Sequence, residues 1–493
     1  MKTFDVIIVG GGVVGCMTAR ALSKYSLRVL LIEKEEDIGM GASSANSAII
    51  HAGHDPVPRT LKAEMNRLAN PMWDSISEEL GIPFKRTGAY VVAIGQDELG
   101  CLDPLEERGR VNGIRVECIS ADDMLKREPL INPGVSGALF TPTAGMVDPF
   151  AACLAPLENA VLNGVEVMTD TAFTGFIVEG GKMTGIRTSR GDFGCRWLVN
   201  AAGAFSDDIM HLAGDAPEFE IRTRKGEYYI LDKSEIQLNN ILFPVPTSTS
   251  KGILVLGSTH GNVLVGPNSS NESDKENSAV TRDGLEEIWG SAAKLVPSIT
   301  PRSIIAVFAG LRATGNAPCR NKQVDYGHDF VIEPSSHLQG VIHLAGIESP
   351  GLSAAPAIAQ RVVELMKDAG EILTDKENWN PIRVPRPRFN HLSRPEQVAL
   401  VAKDDRYGRI ICRCEMITEG EIVAEIHSAV PARTYDAIKR RTWLGTGRCL
   451  GSFDMPRVVS ILSRELGIPA TEVTKKGRGS EFLFRSTKEV EAK

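Results

Sequence analysis

Three glycines and a glutamate near the N-terminus have the spacing of a dinucleotide-binding site. Gly10, Gly12 and Gly15 follow an apolar, strand-like run at residues 6–9, and a helix-compatible stretch comes directly after them. The first glycine permits a tight turn, the second lets the backbone approach a pyrophosphate, and the third lets the helix pack close to the strand. Glu33 ends a second apolar run, where a carboxylate accepts hydrogen bonds from the ribose hydroxyls of an adenosine. The sequence therefore predicts a dinucleotide whose phosphates face a helix N-terminus.

Three cysteines near the C-terminus have a spacing that suggests metal or cluster chemistry. Cys412 and Cys414 are separated by one residue, and Cys449 follows much later. Thiolates bind metal ions and iron–sulfur clusters, and nearby positive charge lowers the pKa of a thiol. The basic residues around them are Arg413, Lys439, Arg440, Arg441 and Arg448. The six other cysteines are scattered singly, and we interpret them as reduced thiols, often buried, without a ligand role.

The length, composition and charge of the chain limit the class of protein that it can be. The chain has 493 residues, 42% hydrophobic and 24% charged, which is ordinary for a globular protein with two or three domains. Its net charge of −7 does not indicate a nucleic-acid surface. No apolar run reaches the roughly 20 residues that span a bilayer, and Asp5 interrupts the apolar N-terminus, which argues against a signal peptide. We expect a cytoplasmic protein without a transmembrane segment, whose membrane association, if any, would be peripheral and through a partner.

Two distant segments favour FAD over NAD as the dinucleotide. An NAD site needs little beyond the glycine turn and the acid, whereas this chain offers further backbone N–H groups at helix starts near residues 199–203 and 346–353. A helix N-terminus at the pyrimidine end of a flavin would stabilise its anionic reduced form. Both segments resemble the D-amino-acid-oxidase-like superfamily of FAD-dependent oxidoreductases, a resemblance that covers roughly residues 3–370. Besides the fingerprint residues it implies FAD contacts by Lys34, Ser43, Ser44, Asn46, Ala201, Gly203, Gly346, Gly351, Leu352 and Ser353.

Finer resemblances lie around the expected flavin ring. Residues 43–56 and 60–64 are similar to a stretch of the L-2-hydroxyglutarate dehydrogenases, with Ala48 where that family has a glycine. Residues 258–268 and 308–316 resemble segments that flank the substrate pocket in both the 2-hydroxyglutarate and the glycerol-3-phosphate dehydrogenases. The resemblance implies oxidation of an alcohol at the flavin.

Oxidation of a secondary alcohol by hydride transfer needs few side chains. A histidine suits the base that removes the hydroxyl proton, and the planar fork of an arginine suits the substrate's carboxylate or phosphate. His51 and His260 are the candidates for the base, and Arg312 is the candidate for the anion clamp. The alternatives are a structural or flavin-contacting role for each histidine and a structural ion pair for Arg312. Lys225 is a weaker second cation, for which a solvated strand charge is the more expected role.

The fold class expected from this pattern is α/β, with strands and helices alternating along the first three quarters of the chain. We predict a Rossmann-like FAD-binding domain, an inserted α+β substrate domain with an antiparallel sheet, and a small C-terminal helical cysteine module. Strand-rich runs at residues 90–95, 226–232 and 252–258 suit a sheet that covers a substrate. The predicted divisions are an oxidoreductase domain at 1–370 (FAD-binding at about 1–80, 142–215 and 330–370; substrate-binding at about 81–141 and 216–329), a Pro/Arg-rich linker at 371–408, the C-terminal module at 409–467 and a tail at 468–493.

The C-terminal module resembles the bacterioferritin-associated-ferredoxin-like [2Fe–2S] domain in its CxC pair, TEGEI, KRRT and GxGRC segments. That family has a fourth cysteine, and its position here holds Asp454. Three alternatives follow: a [2Fe–2S] cluster held by Cys412, Cys414, Cys449 and Asp454, a module that has lost its cluster and serves structure or docking, or a zinc site with three thiolates and a carboxylate.

The expected function is an FAD-dependent dehydrogenase that oxidises a small anionic secondary alcohol. The candidate substrates are sn-glycerol 3-phosphate and a 2-hydroxy acid such as L-2-hydroxyglutarate, with electrons passing to an external acceptor or a partner subunit. One alternative is an amine or amino-acid oxidase on the same fold, which would release hydrogen peroxide. Another is a flavin-bearing electron-transfer subunit that docks through the C-terminal module. A nucleic-acid role has little support, because prolines rather than stacking aromatics interleave the arginines of the linker.

Overall fold

The structure, a computed structural model, describes residues 1–246, 252–317 and 328–485. Cys319, part of the predicted substrate domain and the end of the predicted tail lie outside these ranges. The helices are α1 (Val13–Ser23), α2 (Leu61–Ala69), α3 (Met72–Leu80), α4 (Gln96–Leu99), α5 (Leu102–Val111), α6 (Ala121–Arg127), α7 (Ala151–Leu162), α8 (Ser206–Leu212), α9 (Arg282–Leu295), α10 (Gly351–Asp368), α11 (Arg394–Lys403), α12 (Glu419–Ile426), α13 (Tyr435–Thr442) and α14 (Met455–Leu466). The strands are β1 (Lys2–Val9), β2 (Val29–Ile32), β3 (Ile49–Ile50), β4 (Phe84–Lys85), β5 (Ala89–Ile94), β6 (Glu117–Ser120), β7 (Val135–Thr141), β8 (Gly145–Val147), β9 (Glu166–Met168), β10 (Phe173–Glu179), β11 (Lys182–Thr188), β12 (Gly191–Asn200), β13 (Ile221–Leu231), β14 (Ile241–Pro244), β15 (Leu254–Gly257), β16 (Val263–Gly266), β17 (Ser270–Glu272), β18 (Ile304–Gly315), β19 (Val331–Pro334), β20 (Val341–Ala345), β21 (Ile410–Cys412) and β22 (Ile417–Thr418).

The first sheet carries the N-terminal fingerprint. Its order is β10-β11-β12-β1-β2-β9, with β20 also paired to β12 and β19 paired to β20. Strand β1 runs parallel to β2 and β12, and β12 runs parallel to β20. The carboxyl ends of these four strands therefore lie at one edge of the sheet. Helices α1, α7 and α10 cover one face of β1 and β2, and α8 with the β10–β11 hairpin covers the other. Because β1 and β2 are buried on both faces, their sequences are nearly continuous apolar runs. The Rossmann-like prediction is confirmed.

The second sheet is largely antiparallel and covers that edge. Its order is β17-β13-β16-β15-β14-β5-β7-β6, and β18 pairs with β13 along almost the whole of both strands. The predicted strands at residues 90–95, 226–232 and 252–258 correspond to β5, β13 and β15. Helix α9 packs on the far face of this sheet through a core of its own.

The C-terminal module has a separate hydrophobic core between Ile411 and Val473, built around the β21–β22 hairpin and helices α12, α13 and α14. The linker before it lies against the first domain, where Arg383 and Arg386 both pair with the buried Glu158. Within the linker, α11 forms at a place where the prolines did not indicate a helix. Its start has a capping box and a proline in the first turn, a position that tolerates proline.

In the parts of the chain that the structure describes, no helix is long and apolar enough to cross a bilayer.

Candidate functional site

The fingerprint glycines lie where the carboxyl ends of β1 and β12 meet. Gly10 has a φ of +111°, and a Cβ on it would lie 2.4 Å from the carbonyl oxygen of Ala201. A Cβ on Gly15 would lie 2.0 Å from the carbonyl oxygen of Gly10. Any larger residue at either position would therefore force the turn apart. Because both are glycine, the N-terminus of α1 stays close to β1, and Gly12 and Val13 face the side chain of Ser43, whose hydroxyl accepts the N–H of Val13 at 3.0 Å.

Glu33 follows β2 beside this turn. Its carboxylate accepts the N–H of Gly11 at 2.6 Å and the N–H of Glu35 at 2.9 Å. Burial raises the pKa of Glu33, and the two N–H groups oppose that rise. The ammonium of Lys34 points elsewhere and pairs with Glu276 at 2.6 Å. The geometry thus supports the ribose role predicted for Glu33, whereas the charge of Lys34 is already matched by a carboxylate.

The predicted contacts Ser43, Ser44 and Asn46 build the loop that follows, residues 39–47, which we call the flavin loop. The hydroxyl of Ser44 donates to the carbonyl of Gly41 at 3.0 Å. The side-chain amide of Asn46 donates to the carbonyl of Ser43 at 2.8 Å and accepts the N–H of Ala48 at 2.7 Å. Ala48 has a φ of +56°, a left-handed conformation that favours the glycine found in the similar family. The Asn46 side chain therefore supports a strained turn into β3.

Two further segments reach the same edge of the first sheet because they follow β12 and β20. Strand β12 is parallel to β1, and β20 is parallel to β12. They contain the other predicted FAD contacts, Ala201, Gly203, Gly346, Gly351 and Leu352. Gly203 and Gly346 both have positive φ, at +58° and +64°. Gly346 lies against Gly315 at the end of β18. A Cβ built on Gly346 would lie 3.5 Å from the Cα of Gly315. The third segment therefore joins the FAD edge to the second sheet.

Ser353, at the start of α10, fixes the position of His51. Its hydroxyl accepts the N–H of His51 at 2.8 Å. The carbonyl of His51 accepts side-chain amides from Asn66 at 3.2 Å and Asn70 at 2.9 Å. The half-buried imidazole lies with its centroid 6.1 Å from the ring of Phe243 in the second sheet. The backbone of His51 is thus held between the two sheets.

One face of the β13–β18 pair lies directly on the flavin loop. Gly226 and Gly310 are opposite each other in register, and a Cβ on Gly310 would lie 1.9 Å from the carbonyl oxygen of Ala45. The next residue on this face of β13 is Tyr228, whose hydroxyl is 3.0 Å from that of Ser47. The face that carries these residues is therefore the one that closes over the FAD edge.

Arg312 lies on the same face, two residues beyond Gly310. Its guanidinium donates to the carbonyl of Asn268 at 2.8 Å and to the hydroxyl of Ser269 at 3.2 Å. Burial lowers the pKa of Arg312, and the neighbouring charge of Arg224 adds to the effect. Among the described residues Arg312 has no carboxylate in ion-pair contact, and its role as anion clamp stays a prediction.

Sequence reasoning missed charged residues beside Arg312. Lys62 pairs with the buried carboxylate of Glu348 at 2.6 Å, and Glu348 also accepts the hydroxyl of Thr314 at 2.7 Å. Burial raises the pKa of Glu348, but the charge of Lys62 and these hydrogen bonds outweigh it and hold the pKa below its usual value. No spacing in the sequence links these three residues, because they come from α2, β18 and the loop before α10.

Arg224 was also missed, although the sequence contained a signal for it. Side chains alternate between the faces of a strand, so Arg224 shares a face with Gly226 and Tyr228, and Lys225 lies on the other. There Lys225 is buried and pairs with Glu272 at 2.8 Å. Strand parity therefore selects Arg224, and not Lys225, as the second cation beside Arg312.

His260 contacts both Asp148 of the first domain and Trp443 of the C-terminal module. Its Nε2 is 3.1 Å from the carboxylate of Asp148, and its ring centroid is 3.6 Å from that of Trp443. The indole N–H of Trp443 donates to the same carboxylate at 3.1 Å. Burial raises the pKa of Asp148, but the contact with His260 outweighs it and the pKa is lowered. These contacts favour a docking role for His260, and its role as base stays a prediction.

Helix α13 anchors the module beside the flavin loop. Arg440 and Arg441 both bind the carboxylate of Asp37, at 2.6 and 2.8 Å. Asp37 and Arg441 are buried. Because Asp37 and Arg441 are removed from water together, this contact fixes the module against the first domain.

The four predicted ligands of the module form two pairs. The sulfur atoms of Cys414 and Cys449 are 3.7 Å apart. Asp454 lies beside Cys412, and burial together with this carboxylate raises the pKa of the Cys412 thiol to about 11. The hydroxyl of Tyr435 donates to Asp454 at 2.7 Å and holds the carboxylate in place.

Two pairs of ligands suit a [2Fe–2S] cluster, in which each iron takes two protein ligands. Zinc would instead gather its ligands around one ion. Over residues 1–246, 252–317 and 328–485, no three His, Cys, Asp or Glu side chains are grouped so that they could hold a single metal ion. The donor set therefore fits the cluster better than zinc.

A Rossmann-like sheet with a glycine cradle, closed by an antiparallel sheet that presents an arginine, defines a flavin-dependent oxidoreductase. Residues 5–365 match the family described as FAD dependent oxidoreductase, and the chain belongs to it. Residues 410–463 match the BFD-like [2Fe-2S] binding domain. FAD is thus the cofactor of the first domain, and the C-terminal module has the fold of a [2Fe–2S] domain.

Similar proteins cover most or all of the chain. The glycerol 3-phosphate dehydrogenase of Caloramator mitchellensis is 43% identical over 489 residues, 98% of this chain and 99% of that protein. The mitochondrial L-2-hydroxyglutarate dehydrogenase of Pongo abelii is 28% identical over 390 residues, 75% of this chain and 89% of that protein. The structure of dithionite-reduced L-α-glycerophosphate oxidase from Mycoplasma pneumoniae with FAD bound is 34% identical, with a TM-score of 0.73 over 78% of this chain and 100% of that chain.

Proposed function

We propose that the chain is an FAD-dependent glycerol 3-phosphate dehydrogenase that delivers electrons to an external acceptor protein. The observation that carries the proposal is the position of Arg312, on the strand face that lies against the flavin loop. A guanidinium at this position gives the substrate's anionic group a partner next to the FAD edge. The Caloramator relative, similar over the full length and named for glycerol 3-phosphate, supports this substrate over a 2-hydroxy acid.

Each residue of the site has a distinct role in this proposal. Gly10, Gly12 and Glu33 hold the adenosine and phosphates of FAD, as in the fingerprint. Arg312 binds the phosphate of the substrate and so orients its secondary hydroxyl. His51 accepts the hydroxyl proton as the alcohol becomes a ketone. When bound, FAD supplies the hydride acceptor, and a [2Fe–2S] cluster supplies one-electron chemistry.

The C-terminal module is, in this proposal, the contact with the acceptor protein or partner subunit. Cys412, Cys414, Cys449 and Asp454 would hold the cluster. Cys414 is exposed, so this end of the site is accessible to another protein. The anchoring of α13 on Asp37 keeps the module at a fixed place beside the first domain.

Anaerobic titration of the purified protein tests the proposal, with iron and zinc measured on the same sample. We expect sn-glycerol 3-phosphate to bleach the visible flavin band and L-2-hydroxyglutarate and amino acids to leave it unchanged, with about two irons per chain. Bleaching by L-2-hydroxyglutarate alone would contradict the substrate. In a separate assay in air, rapid release of hydrogen peroxide with an amino acid would favour the oxidase alternative. Zinc in place of iron would contradict the cluster.

A further inference from the structure

We propose that the hydroxyl of Tyr435 positions the carboxylate of Asp454 as a ligand of the [2Fe–2S] cluster and raises the reduction potential of that cluster. The inference rests on the proposed function, in which the C-terminal module holds a cluster, and it deepens the account of that same site. Its new element is a residue that binds no iron itself, yet sets the position and the charge of a ligand that does.

Asp454 is a buried carboxylate without an ion pair. Only 2% of the residue is exposed. Over residues 1–246, 252–317 and 328–485, no lysine, arginine or histidine lies within ion-pair distance of it. Lys439 acts on this carboxylate only from a longer distance. Because buried charges in proteins are either paired or bound to metal ions, Asp454 has the surroundings expected of a metal ligand.

The carboxylate of Asp454 also gives up a helix cap. Asp454 is at the N-cap of α14, but its side chain makes no capping hydrogen bond. An aspartate at an N-cap normally stabilises the helix by accepting an N–H group of the first turn. Here Oδ1 instead accepts the hydroxyl of Tyr435 at 2.7 Å, and the carboxylate lies beside the thiol of Cys412. The side chain is thus directed to the cysteine site at the expense of its own helix.

The space for the hydroxyl of Tyr435 is provided by two glycines. A Cβ on Gly451 would lie 2.1 Å from the hydroxyl oxygen, and a Cβ on Gly445 would lie 2.6 Å from it. Gly451 follows Cys449 by two residues, and the backbone N–H of Gly445 donates to the sulfur of Cys412. The phenol therefore lies between the two loops that contact the predicted cluster ligands.

This arrangement lets one carboxylate serve two partners. A carboxylate has two oxygens, so one can accept the hydroxyl of Tyr435 while the other binds iron. Hydrogen bonds from such outer partners fix the orientation of a ligand. They also draw negative charge away from it, and the potential of an iron–sulfur cluster depends on hydrogen bonding and net charge at its ligands. Without the hydroxyl, Asp454 would place more negative charge on the iron, which lowers the potential.

Redox titration and EPR of the reduced, full-length protein test the role of Tyr435. We expect Tyr435→Phe to lower the midpoint potential of the cluster and to release iron to a chelator about 10- to 100-fold faster, with unchanged FAD content. The matched control is Tyr407→Phe, which makes the same change in a buried tyrosine whose ring lies against Gly420 of α12. Its potential and its iron release should stay near those of the wild type.

Two variants of Asp454 test the same point with the hydroxyl in place, and they decide it if Tyr435→Phe does not fold. Asp454→Asn keeps an acceptor for Tyr435 but binds iron poorly, so it should contain less iron than the wild type. Asp454→Cys supplies a thiolate and should retain the iron with a different EPR spectrum. In the Asp454→Cys protein, adding Tyr435→Phe should leave the potential nearly unchanged, because the carboxylate through which Tyr435 acts is gone.

The inference would be overturned by a wild type without iron, by an Asp454→Asn protein with the iron and EPR spectrum of the wild type, or by a folded Tyr435→Phe protein with the wild-type potential. Flavin bleaching by sn-glycerol 3-phosphate on the same samples tests the proposed function separately. Bleaching in a protein whose cluster is insensitive to Tyr435 would leave that function and remove the inference. A potential that depends on Tyr435, in a protein that glycerol 3-phosphate does not bleach, would do the reverse.

Discussion

At the scale of single residues, His51 and His260 differ in what surrounds their rings. The backbone of His51 is fixed by Ser353, and its ring lies between the two sheets. The ring of His260 is hydrogen-bonded to Asp148 and lies against the tilted ring of Trp443, 3.6 Å away between ring centroids. A base must reach the hydroxyl of a substrate held by Arg312, and His51 lies at the FAD edge between the two sheets, whereas His260 lies against Trp443 of the C-terminal module.

We therefore predict that His51→Asn lowers kcat by about 10²- to 10⁴-fold, the range for loss of a general base. His260→Asn is the matched control and should retain kcat within a few-fold. Stopped-flow measurement of flavin bleaching by substrate separates the two variants without any acceptor. A large loss in His260→Asn, with His51→Asn unaffected, would reverse the assignment.

Glu33 is the second residue whose role can be tested alone. Its carboxylate is held by two backbone N–H groups at the end of β2. Glu33→Gln keeps the shape but removes the charge that accepts the ribose hydroxyls. Hydrogen bonds to charged groups contribute about 1.5–3 kcal/mol, so FAD should bind roughly 10- to 100-fold more weakly. The test is the flavin lost on dialysis, with Glu35→Gln as control. Full retention of FAD in Glu33→Gln would count against the ribose role.

At the scale of elements, helix α13 depends on a single carboxylate of the first domain. Asp37 is buried, and its pKa is lowered to about 2: burial raises the pKa, but the charges of Arg441 and Arg440 and their hydrogen bonds outweigh it. Since Arg441 is also buried, removal of the carboxylate leaves a guanidinium without its partner. Loss of one member of such a group costs about 3–5 kcal/mol.

Asp37 also predicts a pH dependence of docking. A carboxyl with a depressed pKa stabilises the folded state fully above its ordinary pKa of 3.8, and the contribution is lost as the pH falls toward about 2. The shift corresponds to about 2 kcal/mol. Hydrogen exchange of the α13 amides measures the free energy of local opening. In the wild type this free energy should fall by about 2 kcal/mol between pH 5 and about pH 2, and in Asp37→Asn it should not show this fall. An equal pH dependence in both proteins would remove Asp37 from the contact.

At the scale of the whole molecule, the chain joins a two-electron site to a module of one-electron chemistry. Three packed units meet near residues 37–47: the first sheet, the second sheet and α13. The cysteine pair belongs to the module, which has a hydrophobic core of its own; Cys414 is exposed, and its neighbour Glu415 pairs with Lys233 just after β13. This arrangement predicts that loss of the cysteine site leaves the alcohol chemistry intact.

An electron count tests that separation. Reductive titration of the wild type should require about three electrons per chain, two for FAD and one for the cluster. Cys414→Ser should require about two, contain less iron, and still be bleached by substrate. Cys101→Ser, which alters an exposed cysteine far along the sequence from the module, is the control. Two electrons in the wild type would mean that the module holds no redox cluster.

Much of the FAD edge could be predicted from the sequence because its constraints are local. Gly10 and Gly15 must be glycine within a single turn, and the parallel sheet follows from apolar runs that alternate with helices. The active-site face could be predicted only in part. Arg312 belongs to a segment that resembles a known pocket. The position of Arg224 beside Arg312, in contrast, depends on the register between β13 and β18. Register between strands far apart in sequence cannot be read from either strand alone.

The sequence by itself determined the family, the cofactor edge and the departure at Asp454, because each depends on residues close together in the chain or on a motif of fixed spacing. The tertiary structure decided what meets at that edge. It placed Arg224 opposite Arg312, paired Lys62 with Glu348, and bound His260 to the module through Trp443. These outcomes depend on the packing of elements that are far apart in the chain, where burial and charge act between surfaces that no local pattern specifies.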